Sequence, residues 1–189
     1  MTTDARSRTL GSRAGVTITL VLCLVAGAAA ADKTKKTKAP RPEVLRCVDA
    51  SLMDLIQQGL ARSGTLQALT SHLERAGVIV FLSYDHQMPA AIAGRTRIIS
   101  AAGGWRYLAT ELSDRLSRVD LLSLLAHELQ HAVEIADAPD VVDDATLTAL
   151  YRRIGTDTGH NTVEGSVWFE TQAAVETGRR VFCELSGRW

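Results

Sequence analysis

Apolar positions first settle into a helical rhythm over residues 49–62, where Leu52, Leu55, Ile56 and Leu60 recur at intervals of three and four. Ser51 stands where a capping side chain belongs, and Gly64 follows the last turn. Residues 65–75 repeat the pattern through Leu66, Leu69 and Leu73 and stop at Gly77, with His72 off the apolar stripe. Val78–Tyr84 (VIVFLSY) then changes period; its β-branched and aromatic residues predict a buried strand. Two further strand-like runs, residues 95–100 and Trp105–Leu112, flank Gly103-Gly104 and predict a hairpin. Residues 121–137 are apolar nearly all round (Leu121, Leu122, Leu124, Leu125, Leu129, Val133, Ile135), which predicts a buried helix ended before Pro139. Residues 143–154 predict another helix, with acidic residues at its start and Arg152 and Arg153 at its end. Residues 155–165 read as a polar loop, and residues 166–178 as the last helix, extendable through 179–185. The class implied is α+β: a single domain whose small mixed or antiparallel sheet, of about three strands, packs on helices.

The first 42 residues follow different rules. Residues 1–31 have the build of a secretory signal peptide: Arg6, Arg8 and Arg13, then the apolar run 16–25, then four alanines suited to cleavage. An uncleaved membrane anchor is the alternative, for which the apolar run is short. Residues 32–42 (DKTKKTKAPRP) predict a disordered basic linker holding all four lysines of the chain. The overall neutrality is therefore misleading. Residues 43–189 carry 13 basic and 19 acidic residues, a net charge of −6 that speaks against nucleic acid as a partner. The same domain keeps Cys47 and Cys183; in an exported protein they suit either a disulfide joining its two ends or two free thiols.

Chemistry concentrates in the buried helix. His127-Glu128-Leu129-Gln130-His131 matches H-E-x-x-H, and residues four apart share a helical face, so both imidazoles can reach one Zn²⁺. Glu128, next to the first histidine, is placed to take a proton from water at that metal. Two histidines on a buried helix are costly unless something satisfies their nitrogens. Here the sequence resembles the zincin metallopeptidases, in which the two histidines bind zinc and the glutamate is the general base.

That resemblance implies a zincin-like domain and a third protein ligand. In zincins of the gluzincin type a glutamate on a later helix provides it, often as E-x-x-A; Glu170-Thr171-Gln172-Ala173 fits, 39 residues beyond His131. On a helix, Glu170 would share a stripe with Ala173 and Ala174, small enough for close approach to the metal helix. The metzincin alternative would use Asp137, but Glu134 stands where that pattern needs a glycine. Glu134 lies on the face of His127 and can either hydrogen-bond a ligand histidine from behind or bind the metal itself. His160, in the polar loop, is open to three readings: ligand, oxyanion donor or surface histidine. Tyr107 and Tyr151 are the other groups available to an oxyanion. The zincin resemblance also implies a sheet edge that pairs with extended substrate; Trp105–Leu112 is the candidate, and an ordinary structural strand is the alternative reading of the same residues.

The reading that follows is an exported zinc-dependent metallohydrolase acting on peptide or protein, with Glu128 as base and His127, His131 and Glu170 on zinc. It touches the membrane only through its signal peptide. The alternative is a zinc-binding domain of the same shape that cuts nothing and acts by binding a partner in the cell envelope.

Overall fold

The computed structural model describes residues 43–161 and 166–188. The signal peptide read at 1–31 and the linker read at 32–42 lie outside them. Among the described residues the order is β1 (Leu45–Cys47), α1 (Ala50–Arg62), α2 (Gly64–Ala76), β2 (Val78–Tyr84), β3 (Gly94–Ala102), β4 (Trp105–Leu112), α3 (Arg118–Ala136), α4 (Asp144–Ile154), β5 (Thr156–Asn161), β6 (Ser166–Glu170) and α5 (Gln172–Ser186). The class is α+β, as the periodicities imply. Among the described residues no helix is long and apolar enough to cross a membrane.

Four strands, one more than expected, form a mixed sheet in the order β1-β2-β4-β3. β1 runs parallel to β2 and β2 to β4, while β3 is antiparallel to β4. The register sorts side chains by face. Val80, Leu108 and Ile98 form one row, and Leu82, Thr110 and Thr96 the next. These rows face the helices and are largely buried. The alternate rows hold Phe81 with Arg97 and Ser83 with Glu111 and Arg95, and face outward. A slip of one residue would exchange the two faces, so the apolar pattern itself pins the register.

The sheet's inner face packs against α3, which also meets α1, α2 and α5. Leu125, Leu129 and Ile135 of α3 are inaccessible to solvent, as are Leu108, Leu52, Ile56, Leu66 and Leu73 around them. Each such side chain contributes about 1.5–3 kcal/mol by leaving water. Ser117 caps the start of α3 by accepting from the Asp120 amide. At its other end the helix has no basic residue of its own. Arg106 of β4 does that work, donating to the carbonyls of Ile135, Ala136 (2.6 Å) and Ala138 (2.9 Å).

Two expectations need correction, and the choice left open for the cysteines has an answer. Trp105–Leu112 is not an edge: β4 lies between β2 and β3, and the edge beside α3 is β3. Residues 156–161 and 166–170 are not loop and helix but strands β5 and β6, paired antiparallel in a sheet of their own. Val167, Trp168 and Phe169 favour a strand, and helix α5 starts only after Thr171, whose side chain caps it. Cys47 and Cys183 are both free thiols. Cys47 donates to the Asp49 carbonyl at the start of α1 and Cys183 lies on α5, with no bond between them.

Candidate metal centre

The first two donors follow from helix geometry. His127 and His131 sit one turn apart on α3, with ring centroids 4.9 Å apart and planes nearly perpendicular. Glu170 closes the triangle. As the last residue of β6 it is not on a helix; the turn from β6 into α5 aims its carboxylate at both rings. Its Oε2 lies 3.2 Å from His127 Nε2 and its Oε1 lies 3.6 Å from His131 Nε2. One ligand atom from each of the three residues falls within 4.8 Å of the other two.

Behind His131 stands Glu134, whose Oε2 is 2.9 Å from Nδ1. A carboxylate only accepts, so Nδ1 carries the hydrogen and the Nε2 lone pair is turned toward Glu170. Glu134 Oε1 accepts in turn from the Thr171 hydroxyl at 2.6 Å, and the Thr171 amide donates to Glu170 Oε1 at 2.8 Å. Tyr151 packs edge-on to His131 at 5.4 Å and stacks on Phe169; its hydroxyl reaches the His131 carbonyl at 3.4 Å. Burial, and after it the charges of Glu134 and Glu128, hold the Tyr151 hydroxyl well above its ordinary pKa.

Glu128 is buried against the edge strand. Thr96 of β3 donates to its Oε2 at 2.8 Å, and the Thr96 oxygen lies 2.8 Å from that of Thr110 on β4. A Cβ at Gly94 would lie 2.8 Å from Glu128 Oε1 and 3.1 Å from Leu124 Cδ1, so a larger residue there would have to displace the carboxylate. Burial raises the Glu128 pKa, against the opposing pull of His131, His127 and the Thr96 hydrogen bond. For Glu170 burial pulls the same way, but the hydrogen bond and charge of His127 prevail and its pKa is lowered. Burial depresses His131, yet Glu134 and the charges of Glu128, Glu134 and Glu170 together lift its pKa.

All of this opens on a cleft of about 600 Å³. Its walls are residues 91–96 on one side, Leu147, Thr148 and Tyr151 of α4 opposite, Trp168 and Phe169 of β6, and the triad with Glu128 and Leu124 at its floor. The donor set suits a metal on electrostatic grounds. Glu128, Glu134 and Glu170 converge on two imidazoles, and no lysine occurs after residue 38. A divalent cation would offset that charge, and two histidines with one carboxylate are donors that could hold one.

The other candidates go elsewhere. Asp137, at the C-terminal end of α3, is 2.7 Å from His72 and outside the triad. Tyr107 on β4 is not among the residues lining the cleft. His160 falls in β5, and its side chain lies outside the described residues. Ala173 is exposed; the close approach of α5 to α3 comes from Gly178, whose Cβ position is 3.3 Å from His127 Cβ. Thr96, Gly94 and Thr171 are the site residues the sequence pattern misses, since small residues in a strand or a turn look alike whether or not a carboxylate sits beside them. Comparison with protein-family models, curated proteins and solved structures finds no match for this chain.

Proposed function

We propose that the chain is an exported zinc-dependent hydrolase that cleaves peptide bonds. The observation that carries the proposal is the convergence of His127, His131 and Glu170 donor atoms within 4.8 Å at the floor of an open cleft. Those three residues would hold the metal through both Nε2 atoms and the Glu170 carboxylate. Bound there, zinc supplies a Lewis acid for the scissile carbonyl and lowers the pKa of water toward ~7.

The remaining chemistry belongs to the chain's own groups. Glu128 accepts the proton of the attacking water and returns it to the leaving amine, and its burial strengthens it as a base. Glu134 holds the His131 ring in one tautomer. Peptide is favoured as substrate by the edge strand. The Ser113 amide donates to the Ala93 carbonyl, and the Leu112 carbonyl turns away to accept from Asp85. By the alternation of an antiparallel ladder, Gly94 and Thr96 then point their own N–H and C=O groups outward, along the cleft wall. An extended chain can pair with them as an added strand.

The test is Glu128→Gln in the full chain against a mixed peptide pool. Turnover falls by about 10²–10⁴-fold while zinc is retained. Undiminished cleavage by the variant overturns the role of Glu128; a wild-type protein that binds zinc but cuts nothing supports a binding module in its place.

A further inference from the structure

We infer that Thr171 is the positioning residue that sets the Glu170 carboxylate against the two imidazoles; the inference rests on the zinc reading and deepens it. The ligands reach the site from unrelated elements. The histidines ride on α3, fixed in the core, whereas Glu170 ends a strand that pairs with β5 in a separate sheet. Something must register one against the other to within a few tenths of an ångström, because metal–ligand distances tolerate no more.

Thr171 is placed to do so. It is 5% exposed, and each of its polar groups serves one side of the junction. Its amide donates to Glu170 Oε1 at 2.8 Å, holding the ligand carboxylate to the turn. Its hydroxyl donates to Glu134 Oε1 at 2.6 Å, and the second oxygen of Glu134 accepts from His131 Nδ1 at 2.9 Å. The same oxygen of Thr171 accepts from the Ala174 amide at 3.1 Å, so the start of α5 is locked to the pair. A continuous path of three hydrogen bonds thus runs from one ligand, through Thr171 and Glu134, to another, with the Ala174 bond tying α5 to it. Valine has the shape of threonine without the donor. It would leave a buried oxygen of Glu134 short of a partner and free the turn to rotate.

The experiment is zinc competition against a chromophoric chelator, using the full chain with folding checked by circular dichroism. Thr171→Val weakens zinc by about 10–100-fold, the usual loss when a group behind a metal ligand is removed. Thr171→Ser, which keeps the hydroxyl, restores affinity to near that of the wild type. In a Glu134→Ala background Thr171→Val adds little, because the path is already cut. Thr171→Asp serves if the valine variant does not fold: it caps the helix but cannot donate to a carboxylate, and it too weakens zinc. Wild-type affinity in the folded Thr171→Val or Thr171→Asp variant overturns the role. So does an undiminished loss in the Glu134→Ala background, which would mean that Thr171 acts on helix α5 alone. A wild-type chain that takes up no zinc removes the zinc reading itself, and this inference with it.

Discussion

Thr96 of the edge strand donates its hydroxyl hydrogen to the buried carboxylate of Glu128, 2.8 Å away on α3. The contact joins the groove wall to the base of the proposed reaction, with Glu128 buried and Thr96 half-buried. Thr96→Val keeps the shape and removes the donor. The expected cost is about 1–3 kcal/mol in urea unfolding, since a buried acceptor loses a partner. Zinc content should be unchanged, because Glu128 is not one of the three donors. A variant as stable as the wild type would show that Glu128 finds its partner elsewhere.

Gly178 tests the packing behind the metal. Its Cβ position is 3.1 Å from the Ser123 carbonyl and 3.3 Å from His127 Cβ, and Ser123 donates to the Gly178 carbonyl at 2.9 Å. Gly178→Val must push α5 away from α3. We expect a loss of about 1–3 kcal/mol from overpacking, together with weaker zinc binding as His127 shifts. Unaltered values of both quantities would mean that the helices separate at no cost.

Arg106 offers a test away from the site. Its guanidinium serves three carbonyls at the C-terminal end of α3. Arg106→Met retains most of the apolar stem and deletes the donors, so the midpoint of urea unfolding should drop by the equivalent of about 1.5–3 kcal/mol. No drop would show that water caps the helix as well as arginine does.

Most of the fold is legible in the residue pattern, and the exceptions have physical causes. Leu52, Leu55 and Ile56, or Leu66, Leu69 and Leu73, announce their helices because one face of each meets the core. β1 is only three residues long, too short for any period to show. The order β1-β2-β4-β3 depends on which strand β4 joins, a long-range choice absent from local spacing. Glu170 illustrates both outcomes. The E-x-x-A pattern selects the residue that meets the histidines, yet the helix assumed around it begins two residues later. Residues 166–171 can pass for the opening turns of a helix that in fact starts at Gln172, and here Thr171 as cap is the signal that marks the true start.

Acid should loosen the junction of α5 with α1 and α2. Glu184 accepts from the Ser63 hydroxyl and from Thr65 Oγ1 at 2.6 Å, and Arg62 donates to the Leu185 carbonyl at 2.8 Å. Burial pushes the Glu184 pKa upward, but the Ser63 and Thr65 hydrogen bonds outweigh it and leave the pKa lowered. A carboxylate with a depressed folded pKa stabilises fully above its unfolded value, about 4.3, and loses that contribution as pH falls through the folded value. The stability gap between wild type and Glu184→Gln should therefore be widest near neutrality and shrink below about pH 4. A gap that stays constant down to acid pH would contradict the assignment.

The measurement that bears most directly on the central claim is the zinc content of the purified full chain beside that of Glu170→Ala. Two imidazoles and the carboxylate of Glu170 lie close enough to share one ion. The wild type is expected to hold one equivalent of zinc at neutral pH through dialysis, and the variant to lose most of it while keeping its helical circular dichroism. A wild-type chain free of zinc after loading, or a variant that holds the metal as tightly, would contradict the account.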